Sequence, residues 1–546
     1  MAAQAERQEV QRPAARPRGS WPSLVAAGAA LLALFVLATD AGGYFAPTYL
    51  RVGSMVLAVV GLLLLVAPPY WRPSGAALGA LGCLVLYAGV SWLSVLWSED
   101  VPAGIAAAQR NVLYVGLFAL GLLAAGSGRH AHVVLRGILV VATVVLGAGV
   151  IARVLPGELR ESAYDQAVSL YRLSYPLTYF NAYGALAAFT AVLAVGVSAQ
   201  RRTPAGIRAL AASAGVVAVI GLHLSFSRGA WLAAAIAVLA LVVLAPHRGL
   251  VLVSLLTVGV AAAIAIGILE SEPALVVDPA LEEGQEEAGE QVAPALLALV
   301  VMAGAARYAT IMAVRRMPRR HRPALSPGAK ATAAGLALVL LLGAASVAGD
   351  GPDRLITGTA DEIERQWDDF LGVSFNTERG SARLATARSS RSDVYRVAID
   401  AGSANPLHGT GGGTFAIEYA RERDVAQELV NAHSLYLETF AEQGLLGLVP
   451  LLGFVGLLGA AVLRGRGRAA GLGRTEAAAV GAACVVWLVH AGVDWDWQVP
   501  ALTGTMLVLA ATVFPPRAAR GSRTGSRTAG LPKGPVLRLH STRRRG

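Results

Sequence analysis

The chain has 546 residues, of which 55% are hydrophobic and 15% are charged, and its mean hydropathy is +0.56. These values exclude an ordinary soluble globular protein and indicate a polytopic membrane protein. The formal net charge of +11 does not indicate nucleic-acid binding, because the basic residues lie in short runs between apolar segments and not on one amphipathic face.

A basic tail comes first, over residues 1–20, and it carries four arginines. The apolar run that follows lacks a clear small-residue cleavage site. We therefore predict a cytoplasmic N-terminal tail followed by an uncleaved signal anchor.

Apolar runs recur from there to the end of the chain, each of roughly the 17 to 25 residues that cross about 30 Å of hydrocarbon. We predict an all-α protein with about fourteen transmembrane helices, of which helices 1–11 lie within 21–349 and helices 12–14 within 433–514. The predicted spans are 22–39, 50–67, 76–97, 106–126, 131–155, 177–199, 207–225, 228–245, 249–269, 292–314, 331–349, 444–463, 475–493 and 498–514.

Alternate loops between these spans are rich in arginine, which predicts that they face the cytoplasm. Both termini are then cytoplasmic, and residues 350–432 form one large extracytoplasmic loop with short helices. Arg51 is an exception to the charge pattern. Residues 515–546 are rich in Arg, Ser and Gly, which predicts a disordered basic tail attracted to anionic lipids.

The only two cysteines, Cys83 and Cys484, lie in apolar segments, so the sequence indicates neither a disulfide framework nor a thiolate metal site. The chain also has no GxxxxGK[ST] phosphate loop and no HExxH zinc helix. Functions driven by ATP and zinc-protease functions therefore lose support.

The large loop ends in a predicted amphipathic helix and a glycine turn. Ser390 with Asp393 fits a capping box, and the helix should stop before Pro406. In the turn HGTGGGTF, Gly411 and Gly413 permit positive φ and a close approach of backbone N–H groups to an anion. The alternative is a tight turn without a ligand.

His433 follows, in the segment AHSLYLETFAEQGLLG. If this segment is helical, His433, Leu437 and Phe440 share a face at the extracytoplasmic mouth of the next membrane helix. Glu438 then points elsewhere and cannot easily orient the imidazole. The alternative is a histidine that acts only as a polar helix cap.

Arg228, in LSFSRGAW, lies between two apolar runs at the outward boundary, where an arginine must snorkel, pair or bind an anion. Arg110 and Arg172 also fall on the outward side. Because guanidinium groups offer forked donors to phosphate oxygens, these arginines suit a diphosphate. Near the C-terminus, HAGVDWDWQVP puts Asp494 and Asp496 beside tryptophans of the kind common at membrane interfaces.

Five segments together resemble the O-antigen ligase and polymerase family, the Wzy and WaaL group of bacterial membrane glycosyltransferases. They are RLSYPLTYFNAYGALA around Asn181, SFSRGAWLA around Arg228, RSDVYRVAIDAGSANPLHGTGGGTF, AHSLYLETFAEQGLLG and HAGVDWDWQVP. They stand in family order, and the likeness covers most of the chain from about residue 97 to 500.

The resemblance implies transfer of glycan from an undecaprenyl-diphosphate carrier to a glycan, lipid or protein acceptor at the outer face of the bacterial cytoplasmic membrane. It implies membrane lipids as partners and no cofactor, nucleotide sugar, obligatory metal or nucleic acid. Arg228 would hold the diphosphate, and His433 would act as base or orienter for the acceptor hydroxyl. Ser434 departs from the asparagine that the family often has after this histidine.

The remaining candidates are assigned to substrate binding: Arg110, Arg172, Asn181, Arg391, Gly411, Gly413 and Asp494. Arg391 matches the family's arginine ahead of the glycine turn.

Two other classes of function stay open at the level of sequence. A polytopic protein can be a transporter of a small anion or solute, which would place charged or broken helices near the bilayer midplane. A scaffold for cell-envelope assembly would need neither the arginines nor the histidine. The polar groups here concentrate at the outward boundary, which favours the enzyme.

Overall fold

The structure, a computed structural model, describes most of the chain. The described residues are 21–67, 73–126, 130–156, 171–277, 282–316, 380–385, 391–465 and 471–514. The predicted span 331–349, the predicted tails and most of the first part of the predicted large loop lie outside them.

Every regular element in the described residues is a helix. The long helices that precede the large loop are α1 Trp21–Thr39, α2 Ala46–Val66, α3 Gly75–Ser94, α4 Val101–Ala125, α5 Ala131–Val154, α6 Phe180–Ala199, α7 Ala205–Leu224, α8 Arg228–Leu244, α9 Arg248–Glu270 and α10 Glu282–Arg316. Those from the loop onward are α11 Arg391–Ala404, α12 Phe415–Glu422, α13 Leu435–Gly465, α14 Arg474–His490 and α15 Pro500–Ala511.

The predicted all-α membrane architecture is confirmed. Among the described helices, ten are long and apolar enough to cross a membrane, namely α1 to α7, α9, α10 and α13. The helices α8 and α15 are apolar but shorter. The total of about fourteen spans stays a prediction.

Helix α6 forms the centre of the bundle and is buried along nearly its whole length. It packs against α7, α8, α9 and α14. Small residues allow these close approaches, because a Cβ added at Gly196 would lie 2.1 Å from the Cβ of Ala479 on α14. Membrane helices commonly pack through small residues in this way, since the hydrophobic effect does not drive helices together inside lipid.

Seven connecting segments meet at one end of the bundle, which we call the site end. Ring contacts and hydrogen bonds tie them together: Tyr44 lies 5.6 Å from Trp495 between ring centroids, Ser98 Oγ donates to the carbonyl of Gly412 at 2.7 Å, and His223 and Glu270 are 2.6 Å apart. The segments are 40–45, 95–100, 171–179, 225–227, 271–277, 405–434 and 491–499. This end therefore collects the loops that the charge pattern predicts to be extracytoplasmic.

The predicted loop helix is confirmed as α11, and it forms a small second core with α12 and the start of α13. Val394 and Val397 on α11 pack with Phe415 and Tyr419 on α12. The proposed cap at Ser390 lies outside the described residues. This core gives the segment before His433 a folded support at the site end.

Helix α13 is broken at Gly444, where φ is +58° and ψ is −151°. Segment 406–411 pairs with the backbone on both sides of the break. The N–H groups of Leu445 and Leu446 donate to the carbonyls of Pro406 and Leu407 at 2.8 and 3.0 Å, and the N–H of Gly411 donates to the carbonyl of Glu442 at 2.9 Å. The backbone groups that the break frees are thus satisfied within the protein, as an apolar environment requires.

Candidate active site

A polar cluster at the site end is centred on Asp494, whose side chain is 1% exposed. Its carboxylate accepts hydrogen bonds from the hydroxyl of Tyr179 at 2.5 Å, from Nδ2 of Asn181 at 2.6 Å and from Nη2 of Arg391 at 2.7 Å. These partners come from the entrance to α6 and the first residue of α11, while Asp494 lies between α14 and α15. Tertiary packing therefore joins three distant parts of the chain at one carboxylate.

Asp494 is held in its ionised form. Burial alone would raise the pKa of this carboxyl, but Arg391, His433 and the hydroxyl of Tyr179 outweigh that effect and leave the pKa below its ordinary value. Burial alone would lower the pKa of Arg391, but the Asp494 carboxylate acts in the opposite direction. The net effect is that the pKa of Arg391 is raised above its ordinary value. The pair is thus a charged ion pair at neutral pH.

Arg391 of this pair is one of four arginines whose charges act on one another, and the other three are Arg172, Arg228 and Arg383. The guanidinium carbon of Arg172 lies 3.0 Å from the ring centroid of Phe180, and burial and the charge of Arg383 hold the pKa of Arg172 well below its ordinary value. Arg383 and Arg391 both repel the guanidinium of Arg228, the first residue of α8. We call these four residues the arginine cluster.

Arg383 is the member that the sequence analysis missed. It lies in a short 3₁₀ helix, Gly380–Ala385, and burial and the charge of Arg391 lower its pKa. Ser381 in the same helix donates to Oε2 of Glu270 at 3.1 Å, which ties the segment to the end of α9. No sequence signal distinguishes Arg383 from the other arginines of the large loop, because its position depends on this tertiary contact.

His433 lies on the loop that enters α13, with a left-handed φ of +51°. The expectation of a helix through His433 is wrong, because α13 begins at Leu435. Nδ1 of His433 is 3.1 Å from the carbonyl oxygen of Asn431. Since a carbonyl can only accept, Nδ1 carries the proton in the neutral ring and Nε2 keeps its lone pair.

The protonation state of His433 suits a base. Burial lowers its pKa below the ordinary histidine value, Asp494 opposes this effect and Arg391 adds to it. The imidazole is therefore neutral at pH 7. The charges of Asp494 and Arg391 both act on the imidazole, so it lies within electrostatic reach of these two residues.

Arg110 is not among the arginines that act on this cluster. Its guanidinium lies 5.3 Å from the ring centroid of Tyr49, and its charge acts on Glu438 and Glu442 of α13. Arg110 thus belongs to a neighbouring buried network. Arg110 and Arg172 both lie at the site end, where the sequence predicts them. Of these two arginines, only Arg172 comes close to Asp494.

Gly411 and Gly413 have left-handed φ angles of 112° and 79°, as the sequence predicts for the glycine turn. Their neighbours are protein: an added Cβ at Gly411 would lie 2.5 Å from Cα of Ser98, and one at Gly413 would lie 2.6 Å from Cβ of Ala103. The anion that faces the turn is Glu442, whose carboxylate accepts the N–H of Phe415 at 3.2 Å. The described contacts therefore support close packing for these glycines and not contact with a ligand at Asp494.

Asp496 differs from Asp494 although only Trp495 separates them. Its Oδ2 is 2.7 Å from Nδ1 of His490, and both side chains are fully buried. Trp495 stacks on Tyr179 with ring centroids 4.0 Å apart, which orients the loop so that Asp494 meets the arginine cluster. In the part of the chain that the structure describes, no three His, Cys, Asp or Glu residues are arranged to hold a metal ion.

Comparison with known proteins agrees with the sequence motifs. Residues 293–452 match the family model described as O-antigen ligase, and the match includes Arg383, Arg391, the glycine turn and His433. A search of curated proteins finds no match to the chain. Over residues 293–452, the resemblance to the O-antigen ligase family that the motifs predict is thus confirmed.

Proposed function

We propose that this protein transfers or polymerises undecaprenyl-diphosphate-linked glycan onto an acceptor hydroxyl at the outer face of the cytoplasmic membrane. The observation that carries the proposal is that Arg391 donates to Asp494 at 2.7 Å, while the charge of Asp494 also acts on Arg172 of the arginine cluster and on His433. One group of residues suits an anionic leaving group, and the other suits the hydroxyl that replaces it.

The arginine cluster would bind the diphosphate. Guanidinium groups present parallel N–H donors that match phosphate oxygens, and their mutual repulsion is relieved when a dianionic group enters between them. Arg391 is already oriented by its bond to Asp494 at 2.7 Å. Preorganised positive charge stabilises the negative charge that develops on a departing diphosphate.

His433 would accept the proton of the acceptor. In this scheme the acceptor oxygen attacks the anomeric carbon, the bond from that carbon to the diphosphate oxygen breaks, and the hydroxyl proton passes to Nε2. Undecaprenyl diphosphate leaves with the electron pair, and a new glycosidic bond remains. The pKa of His433, lowered by burial, keeps Nε2 available at neutral pH.

The position of the cluster also bears on the transporter alternative. Asp494, Arg391 and His433 all lie on segments at the site end of the bundle. A carrier needs its substrate groups near the middle of the membrane, where they can face either side in turn. The geometry therefore favours chemistry at one surface.

The test uses His433→Ala in purified protein, with donor lipid extracted from cells depleted of active protein. We expect transfer to fall by roughly 10² to 10⁴, the usual range for loss of a general base. Binding of undecaprenyl diphosphate should be unchanged, because the arginine cluster remains. In cells, the variant should accumulate polyprenyl-linked glycan.

The matched control is His408→Ala. His408 is an exposed histidine of the same loop whose Nδ1 also lies near a carbonyl, that of Gly409 at 2.7 Å, but its ring packs on Trp97. We expect this control to keep wild-type transfer. Normal transfer by His433→Ala would remove the proposed base, and a loss of solute uptake with an unchanged lipid pool would support the transporter.

A further inference from the structure

Glu438 lies in the first turns of α13, five residues after His433, and is 9% exposed. Its Oε2 accepts the backbone N–H of Ala432 at 2.8 Å. Its Oε1 accepts the side-chain amides of Asn431, at 3.5 Å, and of Gln498. The carboxylate therefore ties the two residues before His433 to the body of the helix.

The backbone of His433 needs such support. A non-glycine residue in the left-handed region is strained and persists only where its surroundings hold it. The chain is held on both sides: Ala432 bonds to Glu438, and the N–H of Leu435 donates to the carbonyl of Ala491 at 2.8 Å. The hydroxyl of Tyr395 also donates to the carbonyl of His433 at 3.3 Å.

Asn431 links this support to the imidazole. The carbonyl of Asn431 accepts from Nδ1 of His433, while the side chain of Asn431 reaches Glu438. A shift of residues 431–432 would therefore move the group that selects the tautomer of His433. Loss of this tautomer would leave a proton on Nε2, where a base needs a lone pair.

We propose that Glu438 is a positioning residue for His433, acting through the backbone of residues 431–432. The proposal rests on the proposed function of His433 as base. If one helix ran through both residues, Glu438 would point elsewhere and could not easily orient the imidazole. The structure provides another route, because His433 precedes the helix and the loop folds back onto the carboxylate.

The rival explanation is that Glu438 acts through its charge, as a proton acceptor or as the partner of nearby Arg110. Two substitutions separate these roles. Glu438→Gln keeps one oxygen, which can still accept the N–H of Ala432. The new side-chain amide N–H needs an acceptor, and Gln498 can provide one by turning its own amide. Oε1 of Gln498 is a buried atom without a hydrogen-bond partner among the described residues. Glu438→Asp keeps the charge but withdraws it by one C–C bond, about 1.5 Å.

We expect Glu438→Gln to keep most of the wild-type kcat. The kcat of Glu438→Asp should fall on the order of 10²-fold, the cost of misplacing a catalytic group by about 1 Å. The KM for lipid-linked donor should be unchanged in both, because the arginine cluster is untouched. In Glu438→Asp the acid limb of kcat should also move to higher pH, since a loosened His433 becomes hydrated. Asp494, Arg391 and Tyr395, the ionisable groups that face His433, are unchanged.

The control is Thr439→Ala, a buried neighbour on the same helix whose hydroxyl lies 3.0 Å from that of Tyr87 and which makes no described contact with residues 431–433. It should keep wild-type kcat per folded molecule. The reverse order, with Glu438→Asp more active than Glu438→Gln, would show a role for charge and overturn the positioning role. Wild-type kcat in Glu438→Asp would overturn it too.

Parallel measurement of His433→Ala separates this inference from the proposed function. If His433→Ala transfers normally, the proposed function of His433 fails, whatever Glu438 does. If His433→Ala is inactive and both Glu438 variants are fully active, only the positioning role fails.

Discussion

Asp494 determines how the individual residues of the site work together. It is a buried, ionised acceptor for Tyr179, Asn181 and Arg391. Because it attracts Arg391 and also acts on His433, removal of this carboxylate would disturb the proposed leaving-group site and the proposed base at once. Breaking a buried charged pair by removing one partner is costly, so substitutions at Asp494 would confuse folding with chemistry.

Arg228 allows a cleaner test of the arginine cluster. We expect Arg228→Lys to insert normally and to lose transfer activity by roughly 10- to 100-fold, as for the loss of one hydrogen bond to a charged group. The reason is that lysine carries the charge but lacks the planar fork that binds two phosphate oxygens. Steady-state transfer with lipid-linked donor would measure the effect.

Arg208→Lys is the control for replacing a buried arginine. Arg208 is 5% exposed and donates from Nε to the carbonyl of Ser198 at 2.8 Å, at the opposite end of the bundle. Full activity in Arg228→Lys would contradict a role in diphosphate binding and would leave Arg228 with only the role of an anchor at the membrane interface.

Among the helices, the break in α13 has the clearest consequence for the site. It lets segment 406–411 pair with the backbone at Gly444, and it leaves a short helix at the site end that carries Glu438 and Glu442. These two residues lie four positions apart and so share a face. Glu438 holds the loop before His433, and Glu442 holds the glycine turn.

Gly444→Ala should destabilise this arrangement. Its φ of +58° and ψ of −151° fall in a region that is essentially restricted to glycine, and an added Cβ would lie 2.5 Å from the carbonyl carbon of Leu407. We expect a loss of about 1–3 kcal/mol, measured as a lower Tm of the protein in detergent.

Gly456→Ala is the matched control in the same helix, because an added Cβ there meets no atom within 4 Å. Its Tm should equal or slightly exceed that of the wild type. Equal Tm values for the two variants would show that the left-handed break is not required.

At the scale of the whole molecule, polar groups separate to two ends. The site end carries Asp494 and the arginine cluster, whereas Arg136 and Glu476 are paired at 3.6 Å at the opposite end, near Thr203. Helix α10 ends in Arg315 and Arg316 at this opposite end. The positive-inside rule therefore predicts that the opposite end faces the cytoplasm and that the site end faces outward.

Reporter fusions test this orientation. A reporter after residue 283 or 386 should be extracytoplasmic, and one after residue 320 should be cytoplasmic, because basic loops are retained inside. Alkaline phosphatase and green fluorescent protein fusions report the two sides in complementary ways. Fluorescence from both the 283 and 386 fusions would contradict the orientation and with it the proposed location of catalysis.

The sequence by itself determined the helices and the resemblance to the O-antigen ligase family, because both depend on local patterns. Apolar runs long enough to cross a bilayer predict helices wherever they occur, and each described helix from α1 to α10 overlaps a predicted span. The same local reading found Arg172, Asn181, Arg228, Arg391, His433 and Asp494, since each belongs to a recognisable motif.

Only the tertiary structure decided which of these residues share a site, because those contacts join residues far apart in the chain. Asn181 and Asp494 are within 2.6 Å of each other although 313 residues separate them. Hydropathy and spacing cannot show that Arg383 reaches the cluster while Arg110 does not, or that Glu442 faces the glycine turn. A buried carboxylate takes whichever donors the packed helices bring to it, so its partners are decided by packing.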